Sequence, residues 1–211
     1  RQRQMCIRDS GNINANISGG TIKVEGNWTS SGSGFDPTGG TVEFSGSVAQ
    51  AISLASGNNF YDLKINNSHA SDKVSAQGSA LVVSNHLNIA DGIFESASDY
   101  HDVTIASGAT LELTGDITVS GDWTNNGTFT PGTHGVTFDG SSTQSIYGNN
   151  TFYDLTINKS SNEIIIGSNN TNITVNNNLD LVQGNINLNT NSLSILYLAS
   201  VSNSSSSSHT Y

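Results

Sequence analysis

The 211-residue chain carries 17 acidic against 7 basic residues, for a formal charge of −10, with 11% charged and 34% hydrophobic residues. An acidic surface repels phosphate backbones, and a membrane helix needs roughly 18 consecutive apolar residues that no stretch here supplies. The expectation is therefore no nucleic-acid partner and no membrane insertion.

Residues 1–10, RQRQMCIRDS, are set aside first, because they resemble translated sequencing-adapter read-through and match nothing else in the chain. They are expected to be unstructured. All three arginines (Arg1, Arg3, Arg8), Cys6 and Met5 lie in them. What remains has Lys23, Lys64, Lys73 and Lys159 against 16 carboxylates, so its charge is 4 − 16 = −12. A chain without cysteine fits export without disulfides and also permits a cytosolic place.

From Gly20 onward, short period-2 segments alternate with turn formers, and no stretch has helical periodicity. The inward sets are Ile22/Val24, Val42/Phe44, Tyr61/Leu63/Ile65, Leu87/Ile89, Val103/Ile105, Leu111/Leu113, Ile117/Val119, Val136/Phe138, Leu155/Ile157, Leu179/Leu181 and Leu193/Ile195. Strands recurring about every ten residues indicate an all-β fold.

The chain also repeats itself. Trp28 maps to Trp123 at a spacing of 95 residues, Pro37, Phe44 and Ile52 map to Pro131, Phe138 and Ile146 at 94, and Tyr61 and Leu63 map to Tyr153 and Leu155 at 92. Two units follow, about 20–114 and 115–200, within a domain of residues 11–200. A unit of this length exceeds one solenoid coil. Coils on the order of 20 to 30 residues would give three or four per unit. Stacked coils pair each strand in parallel with its counterparts above and below, while the inward side chains form continuous columns. The fold class expected is a single-stranded right-handed parallel β-helix. Residues 201–211 include a serine run from Ser204 to Ser208 and read as a tail or linker, with the chain expected to continue at both ends.

The motifs Gly26-Asn27-Trp28-Thr29 and Gly121-Asp122-Trp123-Thr124, with Phe60-Tyr61-Asp62-Leu63 and Phe152-Tyr153-Asp154-Leu155, carry a resemblance. They are similar to repeats in large secreted surface proteins of Bacteroidetes-type bacteria, which resemble pectate-lyase-like and adhesin-like β-helices. The resemblance implies export and display at the cell surface, with surface glycans or other surface proteins as partners. It implies no reaction and no cofactor.

Two copies of a unit permit an internal comparison: residues the fold needs recur, whereas a private site occurs once. The recurring set contains Gly, Trp, Phe, Pro, Leu, Ile and one carboxylate, Asp62 matched by Asp154. That aspartate alternates away from the apolar face and is expected to accept backbone N–H groups. Trp28, Trp123, Phe35 and Phe129 are the candidate ligand-binding residues, as rings that could stack on sugars, with corner packing as the competing expectation.

Asp99-Tyr100-His101-Asp102 is the densest private cluster, since Asp99, His101 and Asp102 map to Asn191, Leu193 and Ser194. His69, His86, His134 and His209 are scattered without metal-ligand spacing, so no metal is expected. Four distant lysines, no arginine and no recurring carboxylate pair leave little for polysaccharide cleavage. The chain is expected not to be an enzyme.

Overall fold

The computed structural model describes residues 18–30, 35–77, 81–167 and 171–196 in full, and the backbone of residues 5–7, 11–12 and 200–202. The described residues contain strands and turns but no helix, and the strands pair in parallel as a β-solenoid of about eight turns. Seven parallel strands from Gly11–Asn12 to Thr128–Thr130 form one sheet, and a 14-stranded sheet wraps the other sides.

Each coil in the middle of the molecule has three sides. Ile117–Val119 pairs with Asp99–Tyr100, Trp123–Asn125 pairs with Val103–Ile105, and Thr128–Thr130 pairs with the strand Thr110–Leu113. Alternation sends one residue of each pair inward. Val24, Phe44, Leu63, Ile65, Leu87, Ile89, Ile105 and Val119 are all fully buried, and the apolar residues join one cluster along the axis. Burying each such side chain is worth roughly 1.5–3 kcal/mol.

Coil lengths lie at or near the lower end of the expected range of about 20 to 30 residues, with one shorter step. In register, Val42 pairs with Leu63, Leu63 with Leu87 and Leu87 with Val103, steps of 21, 24 and 16 residues. Corners take few residues, because a glycine or asparagine turns the backbone without a loop. Gly92 (φ +83°) and Gly184 (φ +101°) stand 92 residues apart at one such corner.

The column from Ile22 through Val42, Leu63, Leu87 and Val103 completes five turns on reaching Trp123. Trp123 is the counterpart of Trp28, not of Ile22 or its counterpart Ile117. A unit therefore spans one side less than five turns, rather than three or four coils. The second unit is built on the same plan but turned by one side. Trp28–Ser30 lies in the seven-stranded sheet, while Trp123–Asn125 stacks on the neighbouring side.

Residues 1–10 were expected to be unstructured, but Met5–Ile7 runs as a strand against Ile22–Val24. The edge of a coil presents unpaired N–H and C=O groups that an adjoining segment can satisfy. At the other end Ser200–Ser202 pairs with Asn178–Asp180, and the serine run at 204–208 lies outside the described residues.

Candidate functional site

The proposed sugar-stacking rings are core residues. Trp28 is 1% exposed and Trp123 and Phe35 are fully buried, while Phe129 is half-buried against the same core. Trp28 meets Phe35 and Phe60 edge-on at 5.0 and 5.5 Å, and Trp123 meets Phe129 and Phe152 at 4.9 and 6.0 Å. A sugar stacks on an open ring face. Trp28, Trp123 and Phe35 have none to offer. Period-2 alternation and their positions beside turns could not separate these two settings.

The two copies differ at the indole nitrogen. Trp123 Nε1 donates to Asn150 Oδ1 at 2.7 Å. Asn58, which precedes Asn150 by 92 residues, instead accepts from the Phe35 N–H at 2.8 Å, and Trp28 Nε1 has no partner among the described residues.

A buried polar corner recurs that the sequence reading did not single out. Gln50 Oε1 accepts from Gly46 N–H, and its Nε2 donates to the Val24 and Gly26 carbonyls at 3.0 and 2.7 Å. Gln144 repeats each bond with Gly140, Val119 and Gly121. One side chain thus ties two coils at a corner where the ladder is interrupted. The signal was present, because Gln50 and Gln144 are 94 residues apart, in step with Ile52 and Ile146.

The donor that completes this corner differs between copies. Asn67 Nδ2 bonds Val48 O and Gln50 Oε1 in the first unit. Its counterpart Lys159, 1% exposed, donates to Gly140 O, Ser142 O and Gln144 Oε1 at 2.6–2.7 Å. Burial lowers the pKa of this ammonium, against the opposing pull of Asp139. Three acceptors match the three N–H groups of a lysine, which is how a buried charge is tolerated without an ion pair.

Asp62 and Asp154 face outward as expected, but their partners are side chains. Asn85 Nδ2 donates to Asp62 Oδ1 at 2.6 Å and Asn177 Nδ2 to Asp154 Oδ1 at 2.7 Å. The register shifts at this point in both copies, placing two residues of one coil opposite one of the next. The bulged coil delivers the asparagine to the aspartate. Backbone capping of the expected kind occurs instead at Asn27 and its counterpart Asp122, which accept from Ala51 N–H and Ser145 N–H at 2.8 Å.

The structure divides the private cluster. Tyr100 points into the core, where its hydroxyl donates to Ser96 Oγ and burial raises the phenol pKa. His101 and Asp102 remain at the surface as a pair, Nδ1 to Oδ1 3.1 Å, and Asp102 Oδ1 also accepts from Asp122 N–H at 2.7 Å. A Cβ on Gly121 would lie 2.0 Å from Asp102 Oδ1 and 2.6 Å from His101 Nδ1, so the pair sits directly on that glycine. Beside it a groove crosses three coils, lined by His101, Asp102, Asp122, Ser141, Ser142 and Thr143.

Other charged groups act as struts between coils. Lys73 Nζ donates to Glu95 Oε1 and Glu112 Oε2 at 2.5 and 2.7 Å. The Lys73 hydrogen bond holds the Glu95 carboxyl below its usual range despite partial burial, with help from Ser75. A general acid in a paired-carboxylate site needs a raised pKa. Glu43 lies between Lys23 and Lys64 in register; burial pushes its pKa up, but Asn66 and the two lysines prevail and lower it. Among the histidines, His86 Nε2 meets Thr104 Oγ1 at 2.9 Å, His69 accepts from the turn at Ser71–Asp72, and His134 lies 3.9 Å from Asp116. His209 lies outside the described residues. No group of three metal-ligating side chains occurs among the described residues, and no helix among them is long and apolar enough to cross a membrane.

No family profile, no curated protein and no solved structure matches this chain.

Proposed function

We propose that this chain is a load-bearing shaft segment of a larger adhesin-like surface protein, displayed outside the cell and without catalytic activity. The observation that carries the reading is what the recurring polar residues do. Gln50 and Gln144, Asp62 and Asp154, and Asn27 and Asp122 each bond a neighbouring coil. A repeated binding or catalytic unit would turn such groups toward a ligand. Here they brace the rod against slippage between coils, adding to the strand ladders. The motif resemblance to secreted bacterial surface repeats supports export and display.

Pulling the chain between its two ends in an optical trap tests the mechanical half. A shaft is expected to bear load, release length in steps near one coil, and regain its length on relaxation. Smooth extension at random-coil forces would sink that reading. Release of new reducing ends from a panel of plant and algal polysaccharides would overturn the non-catalytic half.

A further inference from the structure

We propose that the groove between the His101–Asp102 pair and residues 141–143 is a binding site for a neutral, hydroxyl-rich ligand, a stretch of uncharged glycan lying across the coils. This goes beyond the shaft reading, since a shaft needs no such groove.

The first support is that the groove's wall is private to one copy. Ser142 and Thr143 stand where the first unit has Val48 and Ala49, while Asp122 takes over both the place and the capping bond of Asn27. Val48 is 57% exposed there, an apolar tip on the same loop. The core and the buried glutamine corner are common to both units, so folding alone does not call for the polar replacements.

The second support is preorganisation. Lys159 holds the Gly140 and Ser142 carbonyls from beneath, and Ser161 Oγ and Asn162 Nδ2 both donate to Ser141 O at 2.7 Å. Asn67 binds only the Val48 carbonyl of the corresponding loop. Elsewhere in the lining, Asp102 is fixed by Asp122 N–H and by His101 Nδ1. His101 Nε2 has no bond to a described residue. Rigid walls lower the ordering cost of binding.

The lining selects the ligand class. Two carboxylates and a chain charge of −10 repel phosphates, sulfates and uronates. Serine and threonine hydroxyls, aspartates and a histidine give an apolar ligand nothing to bury against. Carboxylates and hydroxyls do suit sugar hydroxyls, which donate and accept in turn. Without an aromatic platform the affinity is expected to be weak, with a Kd on the order of 1 mM.

Amide NMR of the full chain, titrated with cellohexaose, xylohexaose and mannohexaose and with oligogalacturonate as the anionic control, tests this. At least one neutral oligomer is expected to shift amides at 101–102, 120–122 and 140–143 only. The double variant Ser142→Val, Thr143→Ala restores the first unit's wall, and its remaining spectrum reports whether it folds. It should weaken binding at least tenfold. The proposal is overturned by no shift at tens of millimolar neutral sugar, by shifts that the double variant leaves intact, or by an equal response to oligogalacturonate.

Discussion

At Gln50 and Gln144 one side chain accepts from a glycine N–H of its own loop and donates to two carbonyls of the coil below. Corners are where a solenoid's ladder stops, and a buried carbonyl left without a donor there costs about 1–3 kcal/mol. The corner therefore needs a donor-rich plug, supplied once by Asn67 and once by Lys159. Replacing Lys159 by methionine keeps most of the volume but removes the lysine donor from Gly140 O and Ser142 O and leaves Gln144 Oε1 with the Gly140 N–H alone. Urea unfolding should show a loss on the order of 3 kcal/mol. Lys159→Asn, which restores the first unit's solution, should cost about half as much or less. A methionine variant as stable as the parent would mean that the ammonium's burial cancels its three bonds. Sequence alone marks Gln50 and Gln144 by their spacing, but it cannot tell a buried glutamine from a solvated one. Lys159 looked like one of four scattered surface charges for the same reason.

The corner glycines show how far matching positions in the two units share an environment. Gly92 and Gly184 both adopt positive φ, which disfavours any side chain by about 1–2 kcal/mol. Their surroundings differ. A Cβ at Gly92 would lie 2.5 Å from the Asn67 carbonyl oxygen, a backbone atom held in the stack, whereas at Gly184 it would lie 2.9 Å from Lys159 Cβ. Gly92→Ala is expected to lower stability by about 2–3 kcal/mol and Gly184→Ala by about 1–2 kcal/mol. Equal costs in thermal or urea unfolding would show that backbone conformation decides both sites and the neighbours neither. Strand placement was legible because inward residues alternate without a break, as at Leu63/Ile65 and Leu155/Ile157. The bulges at Asn85 and Asn177 were not, since an extra residue in one coil is defined only against the coil it stacks on.

Across the whole molecule, the sequence repeat and the coil do not share a period. Five turns separate Ile22 from Trp123, so each unit begins one side of the rod away from its predecessor. Repeated surface features therefore do not line up in one stripe, and a ligand tracking one side of the rod meets different residues in the two units. The repeat is an inner one, of rings, aliphatic columns and corner plugs. The groove at His101 and Asp102 is completed by residues about 40 positions away that coil stacking brings close. That is why the sequence showed the His–Asp pair but not the groove.

The recurring aromatics build the rod from within. Tryptophan emission and acrylamide quenching test it most directly, on the intact chain and on the single variants Trp28→Phe and Trp123→Phe. Both indoles are expected to emit at short wavelength and to resist quenching until the rod unfolds, consistent with their burial at 1% and 0% exposure. Long-wavelength emission from either one, quenched as readily as free indole in the folded chain, would rule out core packing of that ring and place an aromatic platform on the surface.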